Sequence, residues 1–202
     1  MVKIAKNLQF FSKKFSYKII HISTDNLYGK NQNIQNKENN IKIINNYSKF
    51  KLLAEKEILK TNDYLVLRTN FFGYNKIKKG LVNWFLKSCK LKEKIFLYEN
   101  IYFSPLYALD LAKIIFKILD KNISGIYNVG SKNHISKANF LMYLNKHLDL
   151  KGNFKIIKYD NRHNKVKRPL NMKMNSKKFE KKFEIKLPKI KNQINKMIKN
   201  EF

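Results

Sequence analysis

The chain has 202 residues, 44% of them hydrophobic and 13% aromatic, which is enough to bury the core of about one domain and too apolar for wholesale disorder. Its net charge of +29 invites a nucleic-acid reading, yet of the 43 Lys and Arg only Arg68, Arg162 and Arg168 are arginine, the residue that grips phosphate and base edges with a planar fork. The lysines are spread along the chain, so a solvated lysine coat is the favoured reading and nucleic acid the least favoured partner. The lone Cys89 excludes an internal disulfide framework and a cysteine-built zinc site.

In chain order, MVKIAKNLQFFSKKFSYK is basic without the apolar core of a signal peptide, and its apolar spacing predicts a helix near Ile4–Phe15. YKIIHIS, Tyr17–Ser23, reads as a strand, and the polar run Gly29–Asn40 as a loop. A helix follows over Tyr47–Lys60, with Phe50, Leu53, Ala54 and Ile58 as its apolar stripe. YLVLRT, Tyr64–Thr69, is the next strand, followed by a helix at Leu81–Lys90 and a strand at Lys94–Tyr98. Leu109–Leu119 is strongly apolar and helical, and GIYNVG, Gly125–Gly130, is a short strand between glycines. Ser136 is a good N-cap for a helix over Lys137–Leu148, Phe154–Tyr159 is a strand candidate, and one or two basic amphipathic helices close the chain. Strands alternating with helices predict an α/β fold with a mainly parallel sheet. No segment approaches the ~18 apolar residues of a membrane span, and with Cys89 as the one cysteine a reduced cytoplasmic protein is expected.

The chemistry centres on NYSKFKLLAEKEIL, where Lys51 follows Tyr47 by four residues. With 11 Tyr and so many Lys, Tyr-x-x-x-Lys arises by chance about as often as it is found, at Tyr47/Lys51 and Tyr74/Lys78. Context separates them. On a helix, positions i and i+4 share a face, and an ammonium beside a phenol favours the phenolate and lowers its pKa toward the working range of an acid or base. Tyr47 is preceded by an apolar strand that runs into Thr24-Asp25, a hydroxyl at the C-terminal end of a parallel strand, where open α/β sheets place ligands. Tyr74 has no such surroundings.

Ser23-Thr24-Asp25 with Tyr28-Gly29, then Tyr47-Ser48-Lys49-Phe50-Lys51 with Ala54-Glu55, then Leu67-Arg68-Thr69, resemble the extended short-chain dehydrogenase/reductase family, in its branch of dTDP-4-dehydrorhamnose reductases and other sugar-nucleotide enzymes. SPLYALDLAKII (Ser104–Ile115), GIYNVG and RPLNMKMNSKKFEKKFEIKLP (Arg168–Pro188) extend the resemblance in order over nearly the whole chain. It implies the C-terminal part of a Rossmann-like doubly wound parallel sheet, residues 1–70 and 107–130, with a small α/β substrate lobe over 71–106 and 131–202.

The implied roles are specific. Tyr47 gives a proton to a carbonyl oxygen, Lys51 lowers that tyrosine's pKa and bonds the nicotinamide ribose, and Thr24 bonds the same carbonyl oxygen. Asn70, Ser104 and Arg168 lie near a nucleotide sugar, with Arg168 on the diphosphate. The cofactor implied is NADP or NAD. The alternatives are that Thr24 only caps a turn, the less favoured reading for it, and that Arg168 only pairs with a surface carboxylate, an even choice. Asp25 and Asp110 read as supporting residues and His21 as a core residue, while His134, His147 and His163 lack metal-type spacing. Ile43 stands where the family often has proline.

The family's opening G-x-x-G-x-x-G turn has no counterpart among the six glycines. The resemblance thus implies that the cofactor-binding portion is not in this chain, that Tyr17–Ser23 is an exposed sheet edge, and that reductase activity is incomplete alone. Implied partners are a nucleotide sugar and either a separately encoded N-terminal half or a second copy of the chain. Alternative readings are epimerase or dehydratase chemistry and a non-catalytic sugar-nucleotide-binding remnant.

Overall fold

The computed structural model describes residues 1–28, 37–163 and 166–202. Most of the expected loop Gly29–Asn40, with the motif residue Gly29, lies outside the described residues.

Helix α1 (Val2–Phe15) ends at Ser16, whose backbone is left-handed, and Ser12 Oγ donates to the Tyr17 carbonyl across that turn. It leads into strand β1 (Ile19–Thr24) and a 3-10 turn, Asp25–Leu27. Helix α2 (Asn46–Ile58) and strand β2 (Tyr64–Thr69) follow, then β3 (Phe71–Phe72), α3 (Leu81–Lys90) and β4 (Lys94–Tyr98). Two short strands, β5 (Tyr102–Phe103) and β6 (Leu106–Tyr107), run into α4 (Ala108–Ile118), and β7 (Gly125–Asn128) follows. The remainder is β8 (Ile135–Ser136), α5 (Lys137–Leu148), β9 (Asn153–Ile157), β10 (Asn171–Met172), α6 (Lys177–Phe183) and α7 (Ile190–Glu201). Ser136 does cap α5, its Oγ accepting the Asn139 N–H.

The main sheet has the order β1-β2-β7, all parallel, with β2 in the centre. Leu65, Val66 and Leu67 of β2 are completely buried, because a strand covered on both faces needs a continuous apolar run rather than alternation. Thr24 lies beside Thr69 at the C-terminal ends of β1 and β2. Among the described residues β1 pairs with β2 alone, so it is the sheet's edge. A second parallel pair joins β4 to β9, and β5 pairs with β10 in parallel and β8 antiparallel. These two-residue strands were not legible in the sequence because they carry no periodicity to read.

One core cluster gathers α3, α5 and α7 around Phe85, Phe103 and Phe140; another packs β2, β7 and α4 with Phe179 and Phe183 of α6. No helix among the described residues is long and apolar enough to cross a membrane.

The expected stripe of α2 needs a correction. Ala54 and Ile58 are buried, but Phe50 and Leu53 are 46% and 37% exposed. The inward arc is rotated toward Ser48 and Glu55, both fully buried, because Glu55 reaches Arg68 on β2: Arg68 Nη2 lies 2.7 Å from Glu55 Oε2, and Nε 3.0 Å from Oε1. A bidentate buried ion pair thus outweighs two apolar side chains in setting how the helix sits.

Candidate functional site

The site is built at the C-terminal ends of β1 and β2. Thr24 Oγ1 accepts the Asn26 N–H at 3.1 Å and so caps the 3-10 turn, while Asp25 points into the protein and is completely buried. Burial pushes the Asp25 carboxyl up to about 6, against hydrogen bonds from Asn70 and Asn26 and the nearby charge of Lys137. Asn70 Nδ2 donates to Asp25 Oδ2 at 2.8 Å, which fixes the amide just beyond β2.

Helix α2 starts with a reciprocal cap: Asn45 Oδ1 accepts the Ser48 N–H at 2.8 Å, and Ser48 Oγ lies 3.4 Å from the Asn45 N–H. The other end of the Asn45 amide donates to the Lys167 carbonyl at 3.0 Å, tying the loop that carries Arg168 to the start of α2. Between them opens a cavity of about 580 Å³ lined by Asn26, Asn45, Tyr47, Val166, Lys167 and Arg168. Tyr47, in the first turn of α2, is half exposed to it. The Arg168 backbone is fixed by both ends of the Asn161 amide, and no carboxylate pairs with its guanidinium among the described residues.

Lys51, one turn on from Tyr47, sends its ammonium elsewhere: Nζ donates to the Ile22 carbonyl at 2.8 Å. Burial pushes its pKa below the usual lysine value, with Glu55 opposing. It lines a separate small cavity of about 130 Å³ with His21, Ala5 and Leu8. His21 is held below its usual pKa by burial and by Lys51, and its Nε2 has no hydrogen-bond partner among the described residues.

Of the residues singled out in the sequence, the structure brings Tyr47 and Arg168 to one cavity, with Thr24 and Asn70 behind its floor through Asn26 and Asp25. It does not bring Ser104 there: that side chain is 1% exposed and its Oγ accepts the Met174 N–H at 3.3 Å. Asp110 is ion-paired to Lys196, joining α4 to α7. Tyr74 lies outside any helix, its ring 5.1 Å from that of Phe202, and Lys78 has a left-handed backbone, so this second pair shares no helix face.

Two features were missed. The Glu55–Arg68 pair, extended by Ser23 Oγ donating to Glu55 and by Arg68 Nη1 donating to Tyr28 Oη at 3.3 Å, stands behind the Tyr47 helix; the spacing Tyr47, Lys51, Glu55 in steps of four was the available signal. Lys137 lines a second cavity, of about 500 Å³, that Arg168 also borders, and only its place at the start of α5 could have drawn notice.

Parallel strands with a tyrosine-bearing helix at their C-terminal ends, and Arg168 lining the cavity beside that helix, define a Rossmann-like α/β protein. The family model of the RmlD substrate binding domain matches residues 2–202, and the chain belongs to that family. Its fold is similar to that of dTDP-4-dehydrorhamnose reductase from Bacillus anthracis in complex with NADP, with a TM-score of 0.88 and 21% identity over 97% of this chain and 70% of that one. The Clostridium acetobutylicum dTDP-4-dehydrorhamnose reductase ortholog gives 0.87 and 18% over 97% and 70%. The Bordetella bronchiseptica enzyme WbmG in complex with NAD and UDP gives 0.83 and 15% over 96% and 63%. At these identities the likeness is one of fold. No curated protein matches the sequence.

Proposed function

We propose that this chain is the substrate-binding and proton-donating part of a nicotinamide-dependent reductase that acts on a nucleotide-linked 4-keto-6-deoxy sugar. The observation that carries this reading is the cavity lined by both Tyr47, at the start of its helix, and Arg168, whose guanidinium pairs with no carboxylate among the described residues. In it, Tyr47 Oη would deliver its proton to the carbonyl oxygen and Arg168 would hold the diphosphate. On this reading residues 1–70 and 107–130 form the Rossmann portion, and 71–106 with 131–202 the substrate lobe.

The fit to a nicotinamide cofactor is partial. Tyr47 and Lys51, one above the other on α2, could meet its ribose once Lys51 exchanges the Ile22 carbonyl for a hydroxyl. Among the described residues no glycine-rich strand–turn–helix opens toward the site to cradle its diphosphate. When bound, NADPH or NADH would supply the hydride; this chain's residues hold and release the proton. The edge of β1, which has no strand beside it among the described residues, is where further parallel strands would join, from a separate half, a second copy or a longer chain.

The test is oxidation of NADPH or NADH with dTDP-4-dehydrorhamnose, with and without a partner half supplied in trans. Tyr47→Phe should lower turnover by about 10²–10⁴-fold while leaving binding of the sugar nucleotide intact. Equal turnover in the variant would refute the proton role. The Lys51–Ile22 bond favours a second reading, a binding module without catalysis. That reading predicts sugar-nucleotide binding and no cofactor oxidation under any of these conditions.

A further inference from the structure

Helix α1 carries more apolar surface than its packing uses. Its buried residues are Ala5 and Ser12, and Ala5 packs with Ile19, Ala54 and Ile58. Ile4, Leu8, Phe11 and Phe15 follow one another at steps of four, three and four, so they share a helix face, and all four are exposed. Toward the end of the helix Phe10 joins them, and Phe10, Phe11 and Phe15 stand 60%, 44% and 60% exposed. Their rings meet one another, with centroids 5.4 Å apart for Phe10 and Phe11 and 6.2 Å apart for Phe11 and Phe15. No core cluster among the described residues includes them. Single exposed apolar residues are ordinary, but a contiguous group marks an interaction surface.

The same patch is basic. Lys13 and Lys14 stand in it, Lys14 Nζ 5.4 Å from the centre of the Phe15 ring, with Lys3 and Lys6 further up the helix. The helix has no acidic residue, and the first in the chain, Asp25, is completely buried. Lysine stems lie along apolar surface while their ammoniums reach outward, so the occupant has to accept rings and positive charge within the width of one helix. A second copy would set lysine against lysine with no carboxylate between them. The rings also stand on the convex outside of a helix, which a flat, deformable surface covers without a matching groove. An anionic bilayer meets both demands, acyl chains taking the rings and headgroup phosphates the ammoniums.

We propose that the end of α1 holds the protein on an anionic lipid surface, with Phe10, Phe11 and Phe15 entering the boundary between headgroups and acyl chains and Lys13 and Lys14 on the phosphates. The helix lies on the surface and does not cross it. Helix α1 ends at Phe15 and β1 starts at Ile19, so the patch sits by the opening end of β1, whereas Thr24 of the candidate site is at the far end. Six residues of strand separate the two by about 20 Å, and a bilayer held at the rings leaves the cavity beside Tyr47 open. The inference is independent of the functional reading above.

The whole chain is mixed with vesicles of phosphatidylcholine alone and with vesicles that also contain phosphatidylglycerol, and bound protein is measured by flotation. Binding is expected with the mixed vesicles only, weakening as salt is raised. A lysine-coated chain also adsorbs by charge alone, so the rings decide. Phe11→Ser with Phe15→Ser should weaken binding by about tenfold or more. Lys13→Gln with Lys14→Gln should weaken it about fivefold per charge. Lys181→Gln with Lys199→Gln, which removes the same charge at exposed positions of α6 and α7, should change it much less. Because all these side chains are exposed, the variants should melt close to the wild type. In a Trp84→Phe background, the emission of Phe11→Trp should move to the blue on mixed vesicles and be quenched by brominated acyl chains.

Adsorption that Phe11→Ser with Phe15→Ser leaves unchanged, or Phe11→Trp emission that brominated lipid does not quench, overturns the proposal in favour of the lysine coat. Equal binding to phosphatidylcholine alone removes the anionic requirement and overturns it as well. So does the absence of binding to either vesicle; a dimer in light scattering that the two Phe→Ser changes dissolve would then assign the patch to a second copy.

Discussion

The Glu55–Arg68 pair is the interaction whose loss should cost the fold most. Both side chains are almost completely buried, at 1% and 2% exposure, and they meet in a bidentate fork with Nη2–Oε2 at 2.7 Å and Nε–Oε1 at 3.0 Å. Burial opposes the Arg68 charge, but its bonds to Glu55 and the Tyr28 oxygen outweigh that and hold its pKa above the usual value. Glu55→Gln keeps the shape and removes the countercharge, leaving a buried guanidinium uncompensated. Such a loss costs about 3–5 kcal/mol, a large fraction of the roughly 5–15 kcal/mol that holds a domain folded. With a urea slope of about 2 kcal/mol/M, the midpoint should fall by roughly 2 M. The double variant Glu55→Met, Arg68→Met removes both charges and should recover much of this, ending well above the sum of the single losses. Urea titrations at pH 7 of Glu55→Gln, of Glu55→Met and Arg68→Met singly, and of the double decide the matter. Additive losses, or a single-variant shift below about 0.5 M, would show that the pair does not set the helix in place.

Asp25 gives a pH test. Its carboxyl is raised from the ordinary 3.8 to about 6, so between those values the folded chain binds more protons than the unfolded one and stability falls as pH rises. The penalty, absent below the lower value and complete above the upper, is roughly 3 kcal/mol. Asp25→Asn should therefore gain on the wild type by about that much between pH 4 and pH 7 in thermal melts; parallel curves would refute the assignment. At Gly130 an added Cβ would lie 2.7 Å from the Ser104 carbonyl oxygen, which already accepts the Ser131 N–H. Gly130→Ala should cost about 1–3 kcal/mol, and an unchanged melting temperature would count against that close approach. Asn45→Ala removes the cap of α2, worth about 1 kcal/mol, and also the tether to the Lys167 carbonyl. Weakened nucleotide binding should therefore accompany the lower melting temperature, and a stability loss with unaltered affinity would show that the tether does not position Arg168.

The regular elements were legible because their side chains repeat. YLVLRT and KIFLY fall on β2 and β4 residue for residue, and so does the Ser136-capped helix α5, since period and cap there agree with burial. What was not legible depends on partners distant in sequence. Phe50 and Leu53 read as core by composition, but the helix is turned by an ion pair to a residue 13 positions away. Ser104 reads as a ligand residue by its motif and lies instead against Met174, a contact 70 positions distant that no local pattern encodes. Lys137 is one lysine among many until α5, the loop of Arg168 and the ring wall of α3 and β4 converge on one cleft.

The same contacts explain how the helix that carries half-exposed Tyr47 is held. The tyrosine's own side chain is half exposed, but the helix beneath it is pinned at two points. The Asn45–Ser48 cap and the Lys167 tether secure the first turn; the Glu55–Arg68 fork, braced by Ser23 and Tyr28, secures a point two turns on. Tyr28 in turn donates to Asn128 on β7, so the bracing spans β1, β2 and β7, all three strands of the main sheet. Catalytic geometry rests on such supporting contacts more than on the reacting group's own burial. Lys51 lies between the two anchors with its ammonium on the β1 carbonyl of Ile22. On the proposed reading its backbone is already placed, and only its side chain would have to leave the Ile22 carbonyl. A change in what lies beside β1 would therefore act on the lysine while leaving the Tyr47 backbone where it is.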